Sequence, residues 1–230
     1  MIELYHYAFD AASRTIRLAL GEYGVQVHFT EERVWERRRE FLVLNPACTL
    51  PVLVSGDGVP VCGAFAIGEF LAETCPPNGH GWTLLPEAAD QRAEARRLVD
   101  WFDRKFEDEV TRNVVHEKIV KRFMPRDVGG GAPDMNVIHV GLSNLRTHLK
   151  YIEHLLARRK WLAGDALTWA DFAAAAQLSC VDYLGHITWD DAPGAKDWYA
   201  RVKSRPSFRP LLSDTVPGMP AAQHYVDLDF

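Results

Sequence analysis

Histidine and cysteine are the side chains most typical of structural zinc sites, and the chain contains both. His116-Glu117 begins like a helical zinc-protease motif, but Val120 stands where that motif needs its second histidine. The cysteines are scattered along the chain without a pair at metal-ligand spacing: Cys48, Cys62, Cys75 and Cys180. The sequence therefore predicts no metal site, and it predicts that the thiols are reduced.

A tryptophan surrounded by arginines follows the second predicted strand. Trp35 lies among Arg33, Arg37, Arg38 and Arg39, and glutamates interleave with them. Interleaved charges are typical of a solvated helix face, whereas tryptophan together with arginine is typical of residues that dominate protein–protein binding. Both interpretations stay open, and the second predicts a partner surface that includes Trp35, Arg37 and Arg38.

The last residues alternate between apolar and acidic side chains. Val226, Leu228 and Phe230 alternate with Asp227 and Asp229. Such a segment can fold back on the domain, or it can serve as an acidic docking element that meets a partner groove. The two interpretations are compatible, and the second predicts partner binding by Asp227, Leu228, Asp229 and Phe230.

The composition excludes several classes of protein. The chain has 230 residues, of which 47% are hydrophobic, and this is enough for two small domains with apolar cores. A net charge of -5 gives no general reason to bind nucleic acid or an anionic membrane. We also expect no membrane insertion, because no apolar run approaches the roughly 20 residues of a spanning helix. The N-terminus lacks the pattern of a signal peptide, so we expect a cytoplasmic protein.

The order of predicted elements divides the chain into two domains. Over residues 1–78 the patterns read strand, helix, strand, helix, strand, strand, helix, which predicts a compact α/β domain. Its second strand is predicted at Val25 to Phe29 and its second helix at Glu36 to Leu44. The segment 79–86, in a stretch rich in proline and glycine, is predicted to be a linker.

The rest of the chain has the pattern of an all-helical domain. Residues 87–212 carry apolar side chains at helical spacing, and a long helix is predicted to start near Pro86-Glu87. Asp134 is predicted to cap a later helix. Three histidines on predicted helix faces are expected to be solvent-exposed: His139, His148 and His154. Residues 213–230 are predicted to form a C-terminal tail.

Three short motifs occur in order along the chain: Thr49-Leu50-Pro51-Val52-Leu53, Ala66-Ile67-x-x-Phe70-Leu71 and Thr168-Trp169-Ala170-Asp171. The third has the form of a capping box, formed by Thr168 and Asp171 at the start of a helix. Together the motifs resemble the cytosolic glutathione transferase superfamily over residues 1 to about 212. The resemblance implies an α/β N-terminal thioredoxin-like domain followed by an all-α C-terminal helical bundle. It also implies a cis peptide bond before Pro51.

The chain departs from the family at the positions that hold and activate glutathione. The family's catalytic hydroxyl or thiol falls on Asp10-Ala11-Ala12, and none of these side chains can stabilise a thiolate. The acid–serine pair that grips the γ-glutamyl end of glutathione falls on Gly63-Ala64. Each charge-assisted hydrogen bond lost in this way costs about 1.5–3 kcal/mol. The resemblance in fold, together with these departures, therefore implies a transferase-like protein with no catalytic residue and no glutathione cofactor.

Among transferase-like proteins, the chain resembles bacterial members that bind the tubulin-like division protein FtsZ. That resemblance implies a cytoplasmic homodimer at the division site, which binds FtsZ filaments and bundles or curves them during constriction. Two alternatives stay open. One is a glutathione-dependent enzyme that uses Ser13, Tyr5 or Tyr7 as its activator, and the other is a carrier of apolar ligands in the cleft between the domains.

Overall fold

The N-terminal domain is a small sheet flanked by helices. The computed structural model describes residues 2–56, 58–75 and 83–228. In chain order, the elements of this domain are β1 (Glu3–His6), α1 (Ala11–Glu22), β2 (His28–Glu31), α2 (Arg39–Leu44), β3 (Val52–Val54), β4 (Pro60–Cys62) and α3 (Ala64–Thr74). The order is the predicted one, which confirms the α/β class of the domain.

The four strands form one mixed sheet in the order β2-β1-β3-β4. β1 is parallel to β2 and antiparallel to β3, and β3 is antiparallel to β4. β2 begins at His28 rather than at the predicted Val25, because the Val25 N–H bonds to the Leu20 carbonyl oxygen at 2.9 Å and extends the end of α1. The Leu50–Pro51 peptide bond is cis, as the resemblance implies.

The C-terminal domain is helical within the part of the chain that the structure describes. Its helices are α4 (Ala89–Asp100), α5 (Trp101–Val120), α6 (Lys121–Phe123), α7 (Met135–Leu156), α8 (Trp169–Tyr183), α9 (Pro193–Lys203) and α10 (Arg209–Leu212). Helix α5 continues directly from α4 with π-type hydrogen bonding. The predicted helical bundle is confirmed, although its first helix starts at Ala89 and not at Pro86-Glu87.

Helix α8 is the centre of the second domain. All its residues from Trp169 to Tyr183 are buried, and the small side chains of 173–176 let neighbouring helices approach closely. The predicted capping box of Thr168 and Asp171 is present at its start. The Asp171 carboxylate also accepts hydrogen bonds from the Leu162 backbone N–H and the Trp198 indole N–H, each at 2.9 Å.

Helix α7 confirms two predictions and corrects a third. Asp134 caps its start, accepting a hydrogen bond from the Asn136 N–H at 2.8 Å. His139 and His154 are exposed as expected. The expectation for His148 is wrong, because only 1% of this residue is exposed. The Trp101 indole N–H donates to its Nδ1 atom at 3.1 Å, so His148 is part of the packing between α5 and α7.

The C-terminal tail folds back on both domains over residues 213–228. Within it Tyr225 is fully buried, and the Tyr183 hydroxyl donates to the Met219 carbonyl oxygen at 2.6 Å. The predictions for Asp229 and Phe230, and for residues 79–82 of the linker, lie outside the described residues. Among the described helices, none combines the length and apolarity needed to cross a bilayer.

Candidate functional site

A cleft of about 450 Å3 lies between the two domains. The first domain contributes the end of β1, the start of α1 and the loops around Trp35 and Leu50, and the second contributes α5 and Gln177 of α8. The cleft brings together Trp35 and the predicted positions 10–12. Gly63, Ala64, Asp227 and Leu228 are not among the residues that line it.

The start of α1 presents a carboxyl group to the cleft. Asp10 caps the helix and accepts a hydrogen bond from the Ser13 N–H at 2.7 Å. Burial raises the pKa of the Asp10 carboxyl, and hydrogen bonds from Ser13 oppose the rise. Ala11 and Ala12 line the cleft with methyl groups, and the fully buried Ser13 does not line it. This segment therefore places no hydroxyl or thiol in the cleft.

Two aromatic side chains form one wall of the cleft. The rings of Tyr7 and Trp35 meet edge to face with centroids 5.5 Å apart. Burial raises the pKa of the Tyr7 hydroxyl to about 12, Glu31 adds to the rise and Arg33 opposes it. The hydroxyl therefore stays protonated at neutral pH, and it can donate a hydrogen bond. Tyr5 packs against Phe41 and does not line the cleft.

Two acids on α5 face the same cleft and were missed by the sequence analysis. Burial raises the pKa of the Asp103 carboxyl to about 7, and Glu107, Asp10 and Asp100 add to the rise. Burial also raises the pKa of Glu107 to about 7, with a further contribution from Asp10. A sequence signal existed, because Asp103 and Glu107 are four residues apart and each directly follows a core phenylalanine.

The start of α3 offers no polar side chain. Gly63 precedes the helix with a φ of 88°, a conformation that glycine adopts without strain, and its N–H donates to the Pro51 carbonyl oxygen at 2.9 Å. A Cβ atom added at Gly63 would have no other atom within 4 Å. The space above this helix start is therefore open, and Ala64 adds only a methyl group to it.

The arginines around Trp35 are not equivalent. A short 3-10 turn over Val34–Glu36 ends at Arg37, which has a left-handed backbone conformation with a φ of 48°. Because this conformation interrupts the helix, α2 begins at Arg39 and not at the predicted Glu36. Arg37 is exposed. Arg38 instead donates from Nη2 to Oε2 of the buried Glu32 at 2.6 Å. The structure therefore gives Arg38 a role in neutralising a buried carboxylate.

Arginines of α1 hold the tail in place. Arg17 makes two hydrogen bonds to the Asp214 carboxylate, at 2.7 and 2.9 Å, and Arg14 donates to the same group at 3.1 Å. Beyond this anchor, Val226 is 61% exposed and Asp227 is also exposed. Asp227 lies near Lys203, whose pKa is lowered by burial and raised in part by Asp182 and Asp227.

This fold and cleft define a class of proteins. The family profile of the glutathione S-transferase N-terminal domain matches residues 11–74, and that of the C-terminal domain matches residues 115–206. The chain belongs to the glutathione S-transferase family, as the sequence motifs indicated.

Its similarity to particular members covers almost the full length. The chain is 47% identical to FtsZ-localized protein A of Caulobacter vibrioides, over 99% of this chain and 97% of that protein. The structure is similar to that of a glutathione S-transferase from Sinorhizobium meliloti, with 52% identity, a TM-score of 0.96 and full coverage of both chains. It is also similar to the solved structure of FzlA from C. crescentus, with 46% identity, a TM-score of 0.90 and coverage of 100% and 99%.

Proposed function

We propose that this protein is a non-catalytic glutathione S-transferase-like protein that binds FtsZ filaments in the cytoplasm at the division site. The observation that carries the proposal is the whole-length similarity, at 47% identity, to a relative named as FtsZ-localized. As a homodimer the protein would present two copies of one binding surface, and these can bridge filaments so that they bundle or curve.

The chemistry of the cleft supports a role other than glutathione transfer. Glutathione is a net anion at neutral pH, with two carboxylates and one ammonium group, whereas the cleft presents the carboxyl groups of Asp10, Asp103 and Glu107. Like charges repel at close range in a partly buried site. Gly63 and Ala64 add no side-chain donor at the start of α3. Each missing charge-assisted hydrogen bond costs about 1.5–3 kcal/mol, so glutathione affinity is expected to be low.

The partner surface that we propose combines two regions of the protein surface, in which Arg37 and Asp227 are exposed and Trp35 and Leu228 are half-buried. One is the loop that carries Trp35 and Arg37, and the other is the end of the tail at Asp227 and Leu228, with Asp229 and Phe230 beyond it. Tryptophan and arginine are enriched among residues that dominate binding energies. Arg38 is part of the proposed surface, but its variants would also unpair the buried Glu32. Arg37 is therefore the better position for a binding test.

The direct test is sedimentation with FtsZ polymerised in GTP. We expect the protein to pellet with polymerised FtsZ and to stay in the supernatant with FtsZ in GDP. Calorimetry with glutathione, together with a spectrophotometric transferase assay, tests the enzyme alternative, for which Tyr7 is the hydroxyl that lines the cleft. Absence of co-pelleting contradicts the proposal, and so does glutathione turnover with a Kd of about tens of micromolar or tighter.

Reversing the charge at the tail is expected to weaken filament binding. Asp227→Lys places a cation where the proposed surface presents an acid, and we expect roughly tenfold weaker affinity for FtsZ filaments. The pelleted fraction over a range of FtsZ concentrations measures this loss. Asp190→Lys changes the charge equally at another exposed position and is the matched control. An unchanged pelleted fraction, with an unchanged Tm, would remove the tail from the proposed surface.

A further inference from the structure

The acids that line the cleft outnumber its cations, because Asp10, Glu32, Asp103 and Glu107 share it with Arg112 and His116. The Oδ1 atom of Asp103 is buried and has no hydrogen-bond partner among the described residues. Glu107 accepts a hydrogen bond from Gln177, and Arg112 acts on it only at a distance. Arg112 itself is largely exposed and pairs with Asp108 at 3.0 Å. An unpartnered buried carboxyl group that borders a cavity is costly, and a bound ligand with a complementary charge would offset that cost.

The geometry distinguishes between classes of cation. Within the described residues, no three His, Cys, Asp or Glu side chains come close enough to hold a metal ion. The carboxyl groups of Asp10, Asp103 and Glu107 are instead distributed along a cleft of about 450 Å3. The Tyr7 and Trp35 rings form a wall of the same cleft, and aromatic faces attract organic cations. Separated acids and an aromatic wall favour an extended organic cation over a bare ion.

We infer that the cleft binds a guanidinium or primary ammonium group, with Glu107 and Asp103 as its counter-charges and Trp35 beside it. Such a group could come from a lysine or arginine side chain of a protein partner, or from a free polyamine. The inference reverses the charge preference of the family's site, which takes an anionic peptide. Trp35 belongs to both this site and the proposed partner surface, but the inference is tested separately from the proposed function, since binding of a small cation is measured without FtsZ.

The protonation state of the acids gives the inference a pH signature. Asp103 and Glu107 both have a pKa of about 7. The charged and titratable groups that act on them are Asp10, Asp100, Asp108 and Arg112, and the thiol of Cys180 also interacts with Glu107. His116 of the same helix α5 and Glu32 of the first domain line the cleft as well. A cation favours the ionised carboxyls, so binding should release protons and become tighter as pH rises. If one ionised carboxylate is required, affinity should rise about tenfold between about pH 6 and about pH 8.

Calorimetry with three probes tests the inference. Arginine capped at both ends by N-acetyl and methylamide groups supplies the guanidinium, and the equally capped citrulline is its uncharged isostere. Agmatine is the free small-molecule cation. We expect the capped arginine, agmatine or both to bind at about pH 8, and citrulline to bind at least tenfold more weakly. At about pH 7, where the two carboxyls are partly protonated, cation binding should release protons, which titrations in two buffers of different ionisation enthalpy measure. Binding of agmatine alone would identify a free polyamine as the source, and binding of the capped arginine alone a side chain.

Variants test whether the acids of the cleft bind the cation. Glu107→Gln keeps the shape of the side chain and should weaken cation binding about tenfold at about pH 8, with a smaller pH dependence. Asp190→Asn makes the same change of charge at an exposed position and should leave binding unchanged. Equal binding of arginine and citrulline, no binding of either cation, or unchanged binding by Glu107→Gln would each overturn the inference.

Thermal unfolding checks the buried acids without any ligand. A carboxyl whose folded pKa is raised binds its proton more tightly in the folded state, so stability falls as pH rises from the unfolded pKa towards about 7. Glu107→Gln should therefore raise the Tm by a few degrees at about pH 8 and by much less near pH 4.5. A lower Tm for this variant at about pH 8 would contradict the premise that the ionised, buried carboxyl of Glu107 destabilises the folded state.

Discussion

Arg14→Met is expected to lower the free energy of unfolding by about 3–5 kcal/mol, because it removes one partner from a buried charged network. The Arg14 side chain is fully buried and donates to the Ala8 carbonyl oxygen at 2.6 Å and to the Ser179 hydroxyl at 2.8 Å. It also donates to the Tyr225 hydroxyl at 3.0 Å and to Asp214 at 3.1 Å. One side chain thus joins the first domain, helix α8 and the tail.

Chemical denaturation followed by circular dichroism measures this loss. Arg209→Met is the matched control, since Arg209 is exposed and a surface substitution changes stability by about 0.5 kcal/mol or less. Because Arg17 still holds Asp214, we expect the segment around Tyr225 to loosen more than the segment around Asp214. Limited proteolysis should therefore cleave the variant after residue 214 at native pH. A stability loss below about 1 kcal/mol would show that the network does not join the domains energetically.

Asp171→Ala is expected to cost about 4 kcal/mol or more, because several buried donors lose their acceptor together. The Asp171 carboxylate accepts from the Thr168 N–H at 2.8 Å and from its hydroxyl at 3.1 Å. The carboxylate also accepts hydrogen bonds from the Leu162 N–H and the Trp198 indole N–H. These two bonds connect the loop before α8, and one face of α9, to the start of α8.

The same denaturation measurement tests this prediction. Asp165→Ala removes an exposed aspartate six residues earlier and is expected to change stability by about 0.5 kcal/mol or less. Asp171→Asn keeps an oxygen acceptor and should therefore lose less stability than the alanine variant. If Asp171→Ala and Asp165→Ala lost similar amounts, the buried carboxylate would not be the organising contact of the second domain.

Local signals in the sequence predicted the features that depend on neighbouring residues. The capping box at Thr168 and Asp171, the cap at Asp134 and the order of strands and helices are all confirmed. Each of these depends on contacts within a few residues, so the pattern contains the information needed. His148 shows where such reasoning fails, since its spacing on α7 was compatible with exposure and its burial depends on Trp101 of another helix.

The candidate site was predicted only in part for the same reason. The sequence placed Asp10, Trp35, Gly63 and the tail among the informative positions, but it did not indicate which of them share a cleft. The raised pKa values of Asp103 and Glu107 result from burial and from the charge of Asp10, and Asp10 is remote from both in the sequence.

The amino-acid sequence by itself determined the two-domain class, the helix caps and the loss of polar side chains at Gly63-Ala64, because these follow from residue type and short-range spacing. Only the tertiary structure decided that the cleft is acidic and that the tail is anchored at Arg14 and Arg17. Burial and long-range charge pairing arise when residues as far apart as Arg14 and Asp214, 200 positions along the chain, are packed together. No local pattern contains that information.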